Sequence, residues 1–292
     1  MKVKACAKIN LCLDVLSRRS NGYHDVEMVM TNIDIADVLE IRELEEKKIS
    51  LICNNKDLAT DETNLIYKAI VLLQRETKRD FGVEVRLEKN IPMEAGMAGG
   101  SADAAATLKA VNELFQLGIS TDRLLELGAC LGADIPFCIM GGTALAKGIG
   151  EKLTKLKPVP KLKLLIAKPK AGLSTKSVYE NLDIDNMNKT GFKHKDVREM
   201  VSIIESDEAD DIKTLQIAKA LNNILEVPSL RLLPLIAEIK QIMNDNNCLG
   251  SLMSGSGTAV FGIFDNDSDI LGAKAVLEKD DRINYIETAT TV

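Results

Sequence analysis

Hydrophobic positions along the chain alternate between a two-residue and a helical period, which predicts a mixture of strands and helices. Residues 83–88 alternate cleanly, as a half-buried strand does, and 26–41 is rich in β-branched residues. After Asp61 the apolar residues fall on one broad helical face, with Asp61–Thr63 suited to the cap. The predicted strands are 1–16, 26–41, 83–88, 161–168, 258–264 and 284–290.

Other apolar stretches have helical spacing. One helix follows a glycine-rich turn and begins at about Ser101, and the next opens at Ser120 and is closed by Gly132. The weakly patterned stretch 183–211 is expected to hold loops or short helices. Further helices are predicted over 212–225, 230–244 and 268–279.

Strands and helices are mixed irregularly in two halves, which indicates an α+β architecture. The segment 151–160 is rich in lysine and proline and suits a crossing between domains. We therefore expect domains at 1–157 and 158–292.

Composition excludes several classes of protein. A net charge of −6 argues against non-specific nucleic-acid binding. No apolar run approaches the roughly 20 residues of a membrane span, and residues 1–5 lead into no signal-peptide core, so we expect a cytoplasmic protein. The six cysteines show no Cys-x-x-Cys spacing and are expected to be reduced, and with only His24 and His194 a zinc site is not expected.

The segment 92–105 is the strongest candidate for a binding site. It follows a predicted strand, contains three glycines and small alanines, and opens a helix at about Ser101. Glycine lets the backbone approach a ligand closely, and a helix N-terminus attracts anions through its free N–H groups and dipole. The pattern suits phosphate, although a close-packed strand-to-helix turn without a ligand has the same composition. The Ser101 hydroxyl is placed to reach a phosphate oxygen or a magnesium ion.

The sequence contains no other complete nucleotide-binding motif. The chain has no Gly-x4-Gly-Lys-Ser/Thr sequence, and neither 148–150 nor 255–257 is completed to a dinucleotide-binding fingerprint. The motifs of protein kinases are also missing from the sequence.

Three motifs together resemble those of the GHMP kinases. Residues 92–101 resemble the central motif of that family, 7–11 (Ala-Lys-Ile-Asn-Leu) the first and 253–261 the third, in the same order and spacing. The resemblance covers most of the chain. It implies a two-domain GHMP kinase fold, with an N-terminal domain like domain 2 of ribosomal protein S5, a ferredoxin-like C-terminal domain, and the substrate site in the cleft between them.

Two details, 22–24 (Gly-Tyr-His) and 131–137, are similar to the GHMP kinases that act on a CDP-linked methylerythritol. That resemblance implies phosphorylation of a 2-hydroxyl with ATP and Mg²⁺. It makes Asp134 the general base and Lys8 its charged partner, and it assigns Asn10, Tyr23, His24 and Tyr179 to substrate binding. For ATP it implies the residues Asn64, Pro92, Gly96, Met97, Ala98, Gly99, Gly100, Ser101 and Ala102.

The sequence departs from the family pattern at three of these places. Ala95 stands where many members have glycine, and Asn21 replaces a frequent aspartate. Ala102 stands where many have a second serine, which removes one hydroxyl and places more weight on Ser101.

Lys8 and Asp134 also suit the chemistry on physical grounds. Lys8 lies within an apolar strand, and Asp134 lies on a turn between Gly132 and Pro136. A neighbouring ammonium would keep a carboxylate ionised and favour a developing alkoxide. The alternative is a structural ion pair that ties strand to loop.

Two further sites stay open. Tyr23 and His24 suit stacking on and hydrogen bonding to a pyrimidine, or simple packing in a turn. The segment 254–257, with Ser256 as its candidate side chain, is either a tight bend or a wall against the substrate or phosphate loop.

The function hypotheses are therefore three. The first is a kinase of the CDP-linked methylerythritol. The second is another GHMP kinase, acting on homoserine or a mevalonate derivative. The third is a non-catalytic nucleotide sensor or RNA-binding protein, against which the acidic charge and the presence of both Lys8 and Asp134 argue. The sequence leaves the oligomeric state and the metal ligands open.

Overall fold

The computed structural model describes residues 1–182, 184 and 196–292. Residues 183 and 185–195 of the stretch 183–211, which was expected to hold loops or short helices, therefore lie outside the described residues. The chain forms two compact units: the first comprises 1–7, 35–91 and 98–141, and the second comprises 8–34, 92–97 and 142–292. The domains expected from the sequence divide the chain once, whereas these units interleave segments of it.

Two long strands, β1 and β2, contribute residues to both units. β1 spans Lys2–Arg18 and β2 spans His24–Leu44. The predicted strands 1–16 and 26–41 are thus confirmed, and each is slightly longer than expected.

The first unit contains a sheet edge covered by helices. β3 (Ile49–Cys53) is parallel to β4 (Gly82–Glu88), and β4 is antiparallel to the 38–44 part of β2. Its buried core comes from these strands and from the helices, with Ile70, Leu73 and Leu108 fully inaccessible. The helices are α1 (Leu65–Thr77), α2 (Gly99–Leu114), α3 (Thr121–Leu131) and α4 (Ile135–Met140).

Caps explain where these helices begin. Ser120 caps α3 by accepting a hydrogen bond from Arg123 N, and Gly132 ends it, both as predicted. The predicted cap of α1 within Asp61–Thr63 is wrong, because the Asn64 side chain accepts from Ile66 N. Asp61 instead accepts from Thr63 in the preceding turn.

The second unit has two sets of strands. β5 (Thr143–Gly148) pairs with the 26–31 part of β2 and with β6 (Lys152–Lys155), and β8 (Asn222–Asn223) runs parallel to β1. A separate antiparallel sheet has the order β11-β7-β10-β9. Its strands are β7 (Lys163–Pro169), β9 (Gly250–Met253), β10 (Val260–Phe264) and β11 (Ile283–Thr290).

The helices of the second unit correct two predictions. The stretch predicted as helix over 212–225 ends at Ala220 and continues into β8, and the one predicted over 230–244 is interrupted at Pro234, which has no N–H to donate. The helices are α5 (Thr175–Glu180), α6 (Val197–Glu205), α7 (Asp210–Ala220), α8 (Glu226–Leu232), α9 (Leu235–Asp245) and α10 (Asp267–Leu277).

Candidate active site

The glycine-rich segment leads into α2, whose N-terminus suits an anion. α2 begins at Gly99, two residues before the predicted start, and its N-cap residue Ala98 has a φ of 57°. The Ala98 side chain makes no capping hydrogen bond, and the first N–H groups of an α-helix have no partner within the helix. With the positive end of the helix dipole, these groups fit the phosphates of ATP.

The residues along this segment differ in their exposure to solvent. Gly100 is exposed, and a Cβ built there would meet only Leu65 Cδ1, at 3.6 Å. Ser101 is half-buried. Met97 and Ala102 are buried, at 1% and 3% exposure. Neither residue therefore offers its side chain to a ligand.

Two of the glycines have a packing reason of their own. Gly96 has a φ of +70°, and a Cβ there would collide with the carbonyl oxygen of Ser254. A Cβ on Gly99 would lie 3.0 Å from both Ile91 Cγ2 and Lys89 Nζ. At these positions the backbone approaches protein closely, which is the ligand-free explanation of the motif.

Lys8 is held deep in the second unit. It lies in β1 with 3% exposure. Its Nζ donates to Asn10 Oδ1 at 2.5 Å and to the Gly96 carbonyl oxygen at 2.8 Å. Asn10, fully inaccessible, donates in turn to Met28 Sδ at 3.2 Å. Two predicted site residues, Lys8 and Asn10, are thus hydrogen-bonded to each other, and Lys8 also contacts the glycine-rich segment.

The third motif forms the turn between β9 and β10 and contacts the same segment. Thr258 N donates to the Glu94 carbonyl and Ala259 N to the Ala95 carbonyl, both at 3.3 Å. The hydroxyl of Ser256 lies 2.8 Å from that of Thr175. The turn therefore packs its backbone closely against the glycine-rich segment, which fits both interpretations that the sequence left open.

Aromatic rings gather at the start of β2. The His24 and Tyr179 rings lie 5.0 Å apart at an interplanar angle of 33°. His24 is 8% exposed, whereas Tyr23 is 60% exposed. Asn21 Oδ1 accepts from Tyr23 N at 3.1 Å, so asparagine supports this turn in place of the frequent aspartate. A stacked base needs more room than the His24–Tyr179 spacing leaves, so a pyrimidine would have to bind outside this pair.

Asp134 lies on the predicted turn between α3 and α4. It is the N-cap residue of α4, with φ −82° and ψ −15°, and its side chain makes no capping hydrogen bond. It is half-buried, and the turn is fixed by a bond from Ile135 N to the Gly132 carbonyl at 3.2 Å. The carboxylate is therefore not used to stabilise its own helix.

The remaining predicted ATP contacts are Asn64 and Pro92. The Asn64 side chain is occupied in part, because Oδ1 caps α1 and Nδ2 donates to the Ala59 carbonyl at 2.6 Å. Pro92 is half-buried at the start of the loop. Both contacts remain predictions.

The first unit also contains a buried charge cluster that the sequence pattern does not predict. Lys89 Nζ donates to Asp37, with which it forms a very short contact, and to Asp103 Oδ2 at 2.9 Å. Asp37 Oδ1 also accepts from the N–H groups of Asn90 and Ile91. The cluster ties β2 and the end of β4 to α2. The available signal was one charged residue just before the glycine-rich segment, Lys89, and another near its end, Asp103.

Two carboxylates share one ammonium in this cluster. Burial, and then the charge of Asp37, raise the pKa of Asp103 to about 8, against the opposing effect of Lys89. Asp103 Oδ1 has no hydrogen-bond partner among the described residues. Burial lowers the pKa of Lys89, but Asp103 and Asp37 outweigh it, so that the pKa is raised overall. The raised pKa favours a protonated Asp103 carboxyl, and with that proton in place the Lys89 ammonium and the Asp37 carboxylate leave the cluster with no net charge.

Metal ligands are sparse in the described part of the chain. No group of three or more His, Cys, Asp or Glu side chains there could hold a metal ion. All six cysteines are free thiols, but Cys12 alone among them is buried, and that burial raises its pKa to about 12. A metal that arrives with nucleotide phosphates needs few protein ligands, and the half-buried Ser101 hydroxyl is an oxygen donor of the right kind.

Comparison with known proteins identifies the family. Residues 64–142 match the GHMP kinases N terminal domain, and residues 200–280 match the GHMP kinases C terminal domain. The chain belongs to the GHMP kinase family. It has the two-domain α+β fold of that family and is an ATP-dependent small-molecule kinase.

Individual members of the family are similar to the chain over nearly its whole length. It is 46% identical over 273 residues to a protein from Caldicellulosiruptor bescii (94% of this chain, 92% of the relative). It is also 44% identical over 291 residues to one from Clostridioides difficile (99% and 95%). Both are named 4-diphosphocytidyl-2-C-methyl-D-erythritol kinase. A crystal structure of 4-(cytidine 5'-diphospho)-2C-methyl-D-erythritol kinase superimposes with a TM-score of 0.80 at 30% identity, covering 100% of this chain and 99% of that one.

Within the described residues, no helix combines the length and the apolar character that a membrane crossing requires.

Proposed function

We propose that this kinase transfers the γ-phosphoryl group of ATP to the 2-hydroxyl of 4-diphosphocytidyl-2-C-methyl-D-erythritol, in isoprenoid synthesis by the non-mevalonate route. The observation that carries the proposal is the 46% identity to a kinase named for this substrate, over 94% of the chain. Similarity of that extent includes both halves of the protein.

The substrate-binding residues support a cytidine ligand. Tyr23 is exposed beside the His24–Tyr179 ring pair. A pyrimidine can stack on an exposed aromatic ring, and an imidazole can donate to or accept from the edge of the base. Homoserine and mevalonate have no ring that would use these side chains.

For the chemical step we assign Asp134 as general base and Lys8 as its charged partner. The 2-hydroxyl oxygen forms a bond to the γ-phosphorus while the bond from that phosphorus to the β–γ bridging oxygen breaks, and ADP leaves. The hydroxyl proton goes to the Asp134 carboxylate. The Lys8 ammonium stabilises the developing negative charge on oxygen, and the N–H groups at the start of α2 stabilise the charge on the phosphates.

Mg²⁺ is expected with the nucleotide, where it would neutralise phosphate charge. Ser101 is the residue that we assign to it, through its hydroxyl. Asn64 and the backbone of 96–102 are assigned to ATP.

The test is an assay of the purified chain with ATP, Mg²⁺ and a panel of acceptors. With 4-diphosphocytidyl-2-C-methyl-D-erythritol we expect ADP release and one new phosphate ester at the 2-position, detected by phosphorus NMR. Homoserine and mevalonate serve as the comparison acceptors. ADP release with either of these, and none with the cytidine compound, would overturn the substrate assignment.

Tyr23→Ala sharpens that assay. Because Tyr23 is 60% exposed, its removal should cost little stability, so a raised KM for the cytidine compound reports binding. The KM for ATP should stay unchanged. If the substitution changes neither the KM for the cytidine compound nor the KM for ATP, Tyr23 does not belong to the substrate site.

A further inference from the structure

The Gly96 carbonyl oxygen receives two side-chain donors from opposite ends of the chain. Lys8 Nζ donates to it at 2.8 Å and Ser254 Oγ at 3.0 Å. Lys8 and Ser254 are 3% and 1% exposed. A carbonyl oxygen has two lone pairs, so these two donors fill it. The acceptor that orients Lys8 is thus itself fixed by Ser254.

Ser254 is in turn fixed by Asn223. The Asn223 Nδ2 group donates to the carbonyls of Met253 and Gly255, at 2.8 and 2.7 Å, on either side of Ser254. Asn223 is 4% exposed and lies in β8, in register with Leu13 of β1. These contacts run from Lys8 through Gly96 and Ser254 to Asn223, which pairs with β1 again. Because Lys8 also lies in β1, the contacts form a closed ring.

A side chain at Gly255 would crowd this ring. This residue has a φ of +54°, and a Cβ there would lie 3.3 Å from Lys8 Nζ, 3.4 Å from Asn10 Oδ1 and 3.1 Å from the Gly96 oxygen. These atoms are the ammonium and its two acceptors. The third motif therefore packs directly on the hydrogen-bonded environment of Lys8.

We propose that Ser254 and Asn223 are positioning residues for Lys8, acting through the Gly96 carbonyl; the kinetic consequence rests on the role proposed above for Lys8. An ammonium has three N–H groups, and Asn10 and Gly96 occupy two of them. Fixing both acceptors aims the third N–H. Without the Ser254 hydroxyl, the Gly96 carbonyl can rotate and the ammonium follows it.

The first test compares Ser254→Ala with Ser251→Ala. Ser251 lies three residues earlier in β9, where its hydroxyl donates to Asn244 Oδ1 at 3.3 Å. We expect Ser254→Ala to lower kcat roughly 3- to 10-fold, the scale of one lost hydrogen bond. The control should match the wild type in kcat, and both variants should melt within a few degrees of it. A Ser254→Ala variant that loses stability but keeps its kcat would reduce Ser254 to a structural role.

The second test needs no turnover. Reductive methylation of lysines, followed by mass spectrometry of the peptides, measures the access to Lys8, with the exposed Lys109 as internal reference. Ser254→Ala should speed the labelling of Lys8 several-fold and leave Lys109 unchanged. Equal labelling of Lys8 in the wild type and both variants would overturn the proposal. If the wild type fails to phosphorylate the cytidine substrate, the proposed function fails, and this measurement still decides on Ser254.

Discussion

The rings of His24 and Tyr179, 155 positions apart in the sequence, lie 5.0 Å from each other at 33°. His24 begins β2 and Tyr179 lies in α5, so the contact joins two elements of the second unit. The pair forms one aromatic surface beside the exposed Tyr23. Because the two rings touch, neither can enclose a base against the other.

We predict that Tyr179→Ala weakens binding of the cytidine substrate. Loss of a stacking ring raises a dissociation constant about 5- to 100-fold, and His24 would lose its neighbour at the same time. Tyr179→Phe is the matched control, since it keeps the ring. Initial rates over a range of substrate concentrations give KM for both substrates. A KM for the cytidine compound that is equal in the two variants would contradict a binding role.

Asp134→Asn should lower kcat by at least about 10²-fold, the usual scale for a positioned base. The change keeps the shape of a side chain that makes no capping bond, so the fold and both KM values should be little altered. Asp122→Asn, in the first turn of α3 and exposed, is the control. Quenched-flow measurement of ADP formation separates chemistry from product release. A near-normal rate of the chemical step would remove Asp134 from this role.

We predict that the free energy of unfolding decreases as the pH rises, and that Asp103 causes part of this decrease. The folded protein holds the Asp103 proton up to a pKa of about 8, whereas the unfolded chain releases it near 3.8. Between these values the folded state binds more protons, so its free energy of unfolding decreases with rising pH. Asp103→Asn, always neutral, should flatten the melting temperature between pH 5 and 8.

The exposed Asp281 supplies the control for that measurement. Asp281→Asn should keep the pH dependence of the wild type. If Asp103→Asn keeps it as well, the carboxyl is ionised in the folded protein at neutral pH, and the cluster carries a net negative charge.

Glu84 illustrates what the sequence pattern could and could not predict. The alternation over 83–88 correctly predicts a strand, but it places Glu84 on the solvent side, whereas the residue is 8% exposed. Arg42 and Arg86 both donate to Glu84 Oε1, and Arg42 is its register partner on β2. A cross-strand partner depends on the register between strands, which periodicity within one strand does not contain.

In the candidate site, too, some residues could be predicted from the sequence and others could not. Lys8 and the glycine segment were predictable because each belongs to a short, contiguous motif. The Lys89 cluster and the Asn223–Ser254 contacts were not, since they join residues that only the fold brings together. Asn223 was even assigned to a helix, because the apolar spacing of 212–225 continues past the true end of α7 at Ala220. Site residues that belong to short contiguous motifs could therefore be predicted from the sequence. The residues that support them, which are distant in sequence, could not.

The last prediction concerns the close approach of two backbones at Gly96. Gly96→Ala and Gly118→Ala form a matched pair, because the two glycines have φ angles of +70° and +71°. Both substitutions incur the cost of a left-handed alanine, about 1–2 kcal/mol. A Cβ at Gly118 meets no atom within 4 Å, whereas one at Gly96 collides with the Ser254 carbonyl oxygen. We therefore expect Gly118→Ala to remain active and slightly less stable. Gly96→Ala should displace the third motif, free the acceptor of Lys8 and lose most of its kcat. Denaturant unfolding and steady-state kinetics measure both effects, and equal losses in the two variants would mean that the contact between Gly96 and Ser254 contributes nothing beyond backbone strain.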